Sequence, residues 1–312
     1  MGVGTLSALA IAAVASILVF GLVRSAPGDP VDLEFSASGA SAYLNPEEDA
    51  ELRQARRAEL GLDKSVLEQY VLWVGRIASG DFGVSFRSGE PVLETIATRL
   101  PASMSLGACA MVLLVLMSVA TAWLAVRWAD GWIDQALRVL SIAAATVPTF
   151  LTATLALRWA AEALGYPVAG EADPTRIWLP AFVMALSGVP TMARVLRASL
   201  LEESSRPFAV AARARGARAR TVLMRHTLRP ALAPVVALTG LSAAALMGGA
   251  VITEVAFSWP GVGALAIDAI AAQDYPVVQA YVIVMVLLAI LANRSVDVAQ
   301  RLLDPRTRRT AA

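Results

Sequence analysis

The sequence predicts an all-α membrane protein with six transmembrane helices, a helical outer loop and a helical cytoplasmic loop. Hydrophobic residues make up 57% of the 312 residues and charged residues only 16%, whereas soluble domains contain about 45–50% apolar and about 25% charged residues. The charges fall in clusters between long uncharged runs. Six predominantly apolar segments reach about 20 residues, the length that a helix needs to cross the hydrocarbon core of a bilayer.

The six predicted spans are Thr5–Val23, Ser103–Val126, Leu137–Ala161, Ile177–Val195, Ala231–Val255 and Val277–Ala292. The first is longer than the core of a signal peptide and lacks a basic N-terminal region, so we interpret it as an uncleaved helix. Pro148 lies inside the third span, where neighbouring helices can satisfy the carbonyls that proline frees. Small residues crowd the fifth span between Gly240 and Ala250, which predicts close packing at a subunit or bundle interface.

Basic residues predict the orientation of the chain. The loop between the fourth and fifth spans holds nine arginines: Arg194, Arg197, Arg206, Arg213, Arg215, Arg218, Arg220, Arg225 and Arg229. The loop 256–276 has no basic residue. Because short cytoplasmic loops are rich in Lys and Arg, both termini are expected in the cytoplasm. The expected division is a first transmembrane helix (1–25), an extracytoplasmic loop with short helices (26–102), a five-helix core (103–302) that includes the cytoplasmic loop 194–230, and a cytoplasmic tail (303–312).

The outer loop is predicted to contain two short amphipathic helices. Asn45 is followed by proline and, three positions after the cap, by Glu48, which is typical of a helix start. This helix is expected to run to about Leu60. Asp63 is expected to cap a second helix that runs towards Ala78. The two helices would form a small docking cap, and a solvated loop is the alternative.

The loop 194–230 is predicted to form a stiff helical hook. Pro190 is expected to break the fourth span, so that Met192–Glu203 continues as a separate helix. A short helix, Phe208–Arg215, follows Pro207, and Gly216 can end it in the left-handed conformation. Such a basic segment could lie on anionic lipid headgroups or insert into a groove of a cytoplasmic partner. Its small residues and abrupt breaks favour docking.

The segment Ala209–Pro234 resembles the coupling loop of ABC-importer permeases, whose pattern is E-A-A, three residues, then Gly. Ala211, Ala212 and Gly216 match this pattern, whereas Val210 stands in place of Glu. The run Ala212–Gly216 reads A-R-A-R-G, the version found in the peptide branch. Further segments resemble the B-type permeases of dipeptide, oligopeptide and nickel importers, in the order Ala26–Pro30, Leu60–Asp63, Gly80–Ser85, Arg99–Pro101, Glu254–Gly263, Asp274–Val277 and Asp304–Arg306.

The resemblance implies a permease subunit that forms half of a path for peptides across the cytoplasmic membrane, with nickel or a metal chelate as the alternative cargo. The implied partners are a second homologous permease subunit, two cytoplasmic ATPase subunits, an extracytoplasmic substrate-binding protein and the lipid bilayer, with no nucleic acid. The residues expected to couple the chain to the ATPase are Phe208, Val210, Ala211, Ala212, Arg213, Arg215 and Gly216.

Catalytic residues, metal ligands and cofactors are not expected. The chain has one cysteine, Cys109, and one histidine, His226, which are poor material for a thiolate metal site or a catalytic triad. It has no G-x-x-x-x-G-K-[ST] loop, so ATP hydrolysis would belong to another polypeptide. A secondary transporter is the alternative from another class, but it calls for mid-membrane ionisable residues and internal repeats. The spans show neither.

Glu254 is the candidate residue for the translocation path. It lies at the outer end of the fifth span, where an ionisable group is costly unless it is wet or paired. Its carboxylate could meet the amino group of a peptide, or it could stabilise the turn Phe257–Gly263. Asp81 and Asp274, which lie beside glycine or proline in outer loops, are interpreted as turn residues.

Overall fold

The computed structural model describes residues 2–25, 29–38, 45–59, 61–218 and 221–303, without the side chains of 2–5, 30, 36–38, 226, 296, 297 and 299–303. The motif residues 26–28, Leu60 and 304–306, the predicted loop residue Arg220 and the tail from 304 onwards lie outside these ranges. Apart from turns and one isolated β-bridge between Val84 and Pro91, the described secondary structure is helical. The all-α prediction is confirmed.

The helices are α1 (Gly2–Ser25), α2 (Pro30–Ser38), α3 (Pro46–Glu59), α4 (Val66–Ala78), α5 (Val92–Arg127), α6 (Trp132–Thr146), α7 (Thr149–Leu164), α8 (Pro174–Ser205), α9 (Pro207–Ala214), α10 (Leu228–Ala231), α11 (Ala233–Ala256), α12 (Val262–Ala271) and α13 (Tyr275–Leu303), and a π-helical turn at Val222–Thr227 precedes α10. Among the described residues, five segments are long and apolar enough to cross a membrane: Leu6–Ser25, Val92–Arg127, Pro174–Ser205, Leu228–Ala256 and Tyr275–Ser295. Helices α6 and α7 make a sixth when they are counted as one bent span.

The third predicted span, Leu137–Ala161, is not a straight helix. Helices α6 and α7 are separated by two residues, and the pair is bent by 104°. Val147 has an extended backbone, with φ −76° and ψ 125°, because the ring of the following proline disfavours a helical conformation there. Pro148 also lacks the N–H that would continue the hydrogen-bond ladder. The prediction of one continuous helix was therefore wrong at this position.

The fourth span continues through Pro190, so the prediction of a break there was also wrong. Helix α8 begins after Asp173, whose carboxylate accepts a hydrogen bond from the Thr175 N–H at 2.6 Å. That backbone bond lowers the pKa of the Asp173 carboxyl. Val189 and Pro190 are both buried, so packing holds the chain helical despite the missing N–H. Residues 192–203 are the end of α8 and not a separate helix.

The described residues group into two compact units. The first unit comprises Met1–Pro101 and Gly261–Ile290. The core of this unit contains Val92 and Ile96 from α5, Val262 and Ala269 from α12, and Val277 from α13. Its long loop is therefore organised around a small apolar core.

Hydrogen bonds fix the loops of the first unit. Asp274 is buried and accepts hydrogen bonds from the Ser85 hydroxyl at 2.5 Å and the Phe86 N–H at 3.1 Å. The Asp81 carboxylate accepts one from the Gly83 N–H at 2.9 Å. Asp81 is thus bound within its own loop, in agreement with its interpretation as a turn residue, whereas the Asp274 carboxylate ties the start of α13 to the distant loop at Ser85 and Phe86.

The two predicted helices of the long loop are present as α3 and α4, but the cap of α4 differs from the prediction. Ser65 caps this helix in place of Asp63, because the Ser65 N–H donates to Glu68 Oε2 at 3.0 Å and the Glu68 N–H donates to Ser65 Oγ at 3.4 Å. The hydrogen bond from the Ser65 side chain lowers the pKa of Glu68. Helix α2 was not predicted; it starts where the Asp29 carboxylate accepts the Val31 N–H at 2.9 Å.

The second unit comprises Ala102–Pro260 and Leu291–Ala312. Its main core is formed by α5, α8 and α11; α5 and α8 contribute fully buried apolar side chains such as Leu106, Leu114, Met184, Met192 and Leu196. These positions recur every three to four residues or at multiples of that spacing, so each helix turns one face to the other. Helix α8 ends at Ser205, directly before the short helix α9.

Candidate functional site

The short helix α9 is separated from α8 by a single extended residue. Arg206 has φ −67° and ψ 152°, and Pro207 occupies the first turn of α9, where its missing N–H costs nothing. The end of α9 is a Schellman motif: the Gly216 N–H donates to the Arg213 carbonyl at 2.9 Å and the Ala217 N–H to the Ala212 carbonyl at 3.1 Å. Gly216 has φ +86°. The left-handed cap predicted at this glycine is present.

Helix α9 has an inward face and an outward face. Ala209 and Ala212 are buried against Val222 of the π-helical turn and form a small separate core. Phe208 and Val210 point outward with 42% and 52% of their surface exposed, and Ala211 is exposed beside them. Of the predicted coupling residues, Ala212 therefore supports the segment from within. The apolar outward surface is formed by Phe208, Val210 and Ala211.

Arginine side chains stiffen the segment. The Arg213 guanidinium donates to the Ser204 carbonyl at 2.5 Å and so ties α9 to the end of α8. Arg215 donates to the Ala211 carbonyl at 3.3 Å within its own helix. Both side chains remain exposed, so the outward surface combines apolar residues with positive charge.

The return path after α9 is the π-helical turn Val222–Thr227. The Leu228 N–H donates to the Leu223 carbonyl, five residues earlier. The Thr227 hydroxyl donates to the same carbonyl at 2.9 Å. This widened turn presents Val222 to α9, and nothing in the local sequence distinguishes it from an α-helical turn.

A polar cluster that was not predicted from the sequence joins α6 to the second half of α8. Asp134 is fully buried and accepts hydrogen bonds from Arg197 Nε at 3.1 Å and from the second Arg197 nitrogen, Nη2, at 2.7 Å. Arg138 donates to the same carboxylate at 2.5 Å. The spacing of Asp134 and Arg138, four residues apart on a helix, was the available signal. The partner on α8 could not be inferred from it.

Glu254 is buried, with 1% of its surface exposed. The Ser103 hydroxyl donates to its Oε1 at 2.6 Å, and its backbone carbonyl accepts the Trp259 N–H at 2.8 Å. Trp259 also donates through Nε1 to the Ala102 carbonyl at 3.0 Å. Within this chain, the geometry favours the turn-stabilising interpretation of Glu254 over direct contact with cargo.

Arg176 completes this network. It is buried and donates to the Phe257 carbonyl at 3.1 Å and to carbonyls of the loop before α8, including that of Glu171 at 2.9 Å. Its charge is thus spread over several backbone carbonyl acceptors, and hydrogen bonds to a charged donor are among the stronger ones in proteins. Within the described part of the chain, no group of three His, Cys, Asp or Glu side chains could hold a metal ion.

Solved membrane transporters share this arrangement of helices. A chain in the inward-facing structure of the MetNI methionine ABC transporter aligns with a TM-score of 0.60 and 15% identity, covering 69% of this chain and 99% of that one. A chain of an amino acid ABC transporter solved with histidines aligns with a TM-score of 0.53 and 14% identity, covering 67% and 94%. The fold is that of ABC-transporter membrane chains.

Sequence comparisons give the family. Residues 115–309 match the binding-protein-dependent transport system inner membrane component, and residues 3–107 match the N-terminal region of such membrane components. The glutathione transport system permease protein GsiC of Escherichia coli strain K12 is 32% identical over 95% of this chain and 94% of its own length. A putative peptide permease of Brucella suis is 33% identical over 99% and 97%. The chain belongs to this family of inner membrane components and is an ABC-importer permease subunit.

Proposed function

We propose that this permease subunit forms half of a translocation path for peptides across the cytoplasmic membrane, with both termini in the cytoplasm. Its partners are a second homologous permease subunit, two cytoplasmic ATPase subunits and an extracytoplasmic binding protein. Two similar relatives are named for glutathione and for peptides, and glutathione is itself a short peptide. These names support peptides over nickel or a metal chelate as cargo. The arginine-rich loop 194–230 supports the orientation.

The proposed division of the chain follows from this orientation. Residues 1–25 form the first transmembrane helix, 26–102 an extracytoplasmic loop, 103–302 the permease core and 303–312 a cytoplasmic tail. The chain itself is non-catalytic, and its partners hydrolyse ATP. The sequence contains no phosphate-binding G-x-x-x-x-G-K-[ST] loop.

The outward face of α9 is the observation that carries the proposed coupling role. Phe208 and Val210 expose apolar surface on a helix whose other face is already packed. A packed inner face and a Schellman end make this short helix rigid enough to transmit force to α8. We therefore assign docking to Phe208, Val210 and Ala211, surface charge to Arg213 and Arg215, and support of the helix to Ala212 and Gly216.

A pair of valine substitutions tests the docking surface. Val210 and Val66 are both on short helices and are 52% and 56% exposed, but they lie on opposite proposed sides of the membrane. Burying a fully exposed valine side chain contributes about 1.5–3 kcal/mol, and docking can bury the half of the Val210 surface that is still exposed. Val210→Glu should thus weaken ATPase binding at least about tenfold, since the new carboxylate must also lose water. Val66→Glu should leave ATPase binding unchanged.

The measurement is co-purification of the ATPase with the full-length permease, together with peptide uptake and permease abundance. We expect normal abundance for both variants, with co-purification and uptake lost only in Val210→Glu. Co-purification at the normal level in Val210→Glu would refute docking through this face. If the segment instead rests on lipid, replacing Arg213, Arg215 and Arg218 with Gln would reduce uptake and Val210→Glu would not.

A further inference from the structure

Helix α6 has the features of a helix that lies at the membrane surface. It is bent by 104° from α7, so it runs close to the membrane plane if α7 spans the bilayer. Val139 and Leu140 are exposed on one side, whereas Asp134 is buried on the other. Trp132, at its start, is also exposed. Tryptophan is enriched at membrane–water boundaries, and an amphipathic helix at such a boundary buries its apolar side in the acyl region.

A cavity of about 400 Å³ lies beside this helix, between α5, α6 and α8. Its charged walls are Arg138 from α6, Arg194 and Arg197 from α8, and Asp134. The remaining wall is mostly apolar and includes Ala125 of α5 and Ile142 of α6. The cavity thus combines an excess of positive charge with an apolar wall.

Asp134 in the cavity and Asp130, whose carboxylate lies 3.6 Å from the Arg138 guanidinium, do not fully neutralise the three arginines. Asp134 accepts two hydrogen bonds from Arg197 and one from Arg138. Arg194 makes no hydrogen bond or ion pair with the described residues, and its side chain is exposed. A guanidinium has five N–H donors, so Arg138 and Arg194 keep donors for another anion. Phosphate oxygens match this donor geometry well.

We propose that this cavity binds an anionic phospholipid, with the phosphate against Arg138 and Arg194 and the first acyl segments along the apolar wall. A soluble phosphate would use the arginines but would gain nothing from the apolar wall or from the position of α6 at the membrane surface. The lipid would bridge α6 and the part of α8 that leads into α9. The proposal does not depend on the cargo or on ATPase docking.

The test uses the full-length chain in nanodiscs that contain equal amounts of phosphatidylglycerol and phosphatidylcholine. Native mass spectrometry then measures which lipid the released chain retains. Arg194→Gln is the main variant, because Arg194 makes no bond with the described residues that the substitution would disturb. Arg138→Gln is the second, since Arg197 still pairs with Asp134 in its absence. Arg229→Gln, an exposed arginine that does not line the cavity, is the matched control.

The unchanged chain and Arg229→Gln should retain phosphatidylglycerol in preference to phosphatidylcholine. Arg194→Gln and Arg138→Gln should each lower phosphatidylglycerol affinity about fivefold, the contribution of one cationic side chain near an anionic membrane. Equal retention in Arg194→Gln and Arg229→Gln would overturn the site. Loss of phosphatidylglycerol on addition of excess inorganic phosphate would also overturn the proposal, because it would identify a soluble-phosphate site.

Discussion

Gly216→Val is the substitution that tests most sharply whether the abrupt end of α9 matters. Gly216 has φ +86°, and a Cβ built at this position meets nothing within 4 Å. The cost of a side chain is therefore conformational and not a clash. An L-residue in the left-handed region costs about 1–2 kcal/mol, and a β-branched residue is a still rarer occupant. The equilibrium ratio of segments with an intact Schellman cap to segments without it should fall by a factor of about 5–30.

Gly165→Val is a matched control for this backbone cost. Gly165 also ends a helix in the left-handed conformation, with φ +65°, and its added Cβ likewise meets nothing within 4 Å. Gly216→Asn is the conservative variant, because asparagine tolerates the left-handed conformation better than other side chains. The two valine variants should have similar backbone strain, but only one of them changes the end of α9.

The assay reconstitutes the permease with its partner subunits in vesicles and measures peptide taken up per ATP hydrolysed. We expect this ratio to fall at least about fivefold in Gly216→Val, to recover largely in Gly216→Asn, and to stay near normal in Gly165→Val. Equal effects of the two valine variants would show that general destabilisation is responsible. A normal ratio in Gly216→Val would refute the role of the cap in coupling.

Two further pairs of substitutions test the core of the second unit. A Cβ at Gly188 would lie 2.9 Å from Leu114 Cδ1, whereas a Cβ at Gly107 meets nothing within 4 Å. In thermal unfolding, Gly188→Ala should therefore destabilise the chain by about 1–3 kcal/mol. Gly107→Ala should be neutral or stabilising. Glu254→Gln should preserve uptake, because the amide oxygen can still accept a hydrogen bond from the Ser103 hydroxyl. Glu254→Ala should lower the free energy of unfolding by about 1–3 kcal/mol. Loss of uptake in a well-folded Glu254→Gln variant would instead support contact with cargo.

The two Val-Pro pairs show why helix continuity could only partly be predicted from the sequence. Val147-Pro148 ends a helix, whereas Val189-Pro190 lies inside the continuous helix α8. The first pair is exposed and the second is buried in the contact with neighbouring helices. A local rule predicts the same strain at both. Tertiary packing decides the outcome, and the packing partner is distant in sequence.

The sequence predicted a helix end correctly where the residues that determine it lie within a few positions of each other. The end of α9 at Gly216 depends on one residue without a side chain, and its position was predicted. The cap of α4 was assigned to Asp63 although Ser65 and Glu68 form the reciprocal pair, because two candidate caps stood close together. The capping box was the better criterion, since it specifies both partners.

The candidate site was predicted as a set of residues but not as a surface. The spacing of the coupling residues did not show that Ala212 packs inward on Val222, because the π-helical turn that brings Val222 there has no sequence signature. The bonds from Arg197 to Asp134 were missed for a similar reason. They join residues 63 positions apart in the chain, and that proximity exists only after α6 and α8 have packed.

Cross-linking from Phe208 tests the central claim, that α9 is the contact with the ATPase, most directly. Phe208 and Trp178 are both aromatic and similarly exposed, at 42% and 43%, but Phe208 follows the end of α8 and Trp178 lies near its beginning. Each is replaced in turn by the photoreactive analogue p-benzoylphenylalanine in membranes that contain all partner subunits. We predict a covalent adduct with the ATPase from position 208 and none from position 178. An ATPase adduct from position 178, or its absence from position 208, would contradict the account.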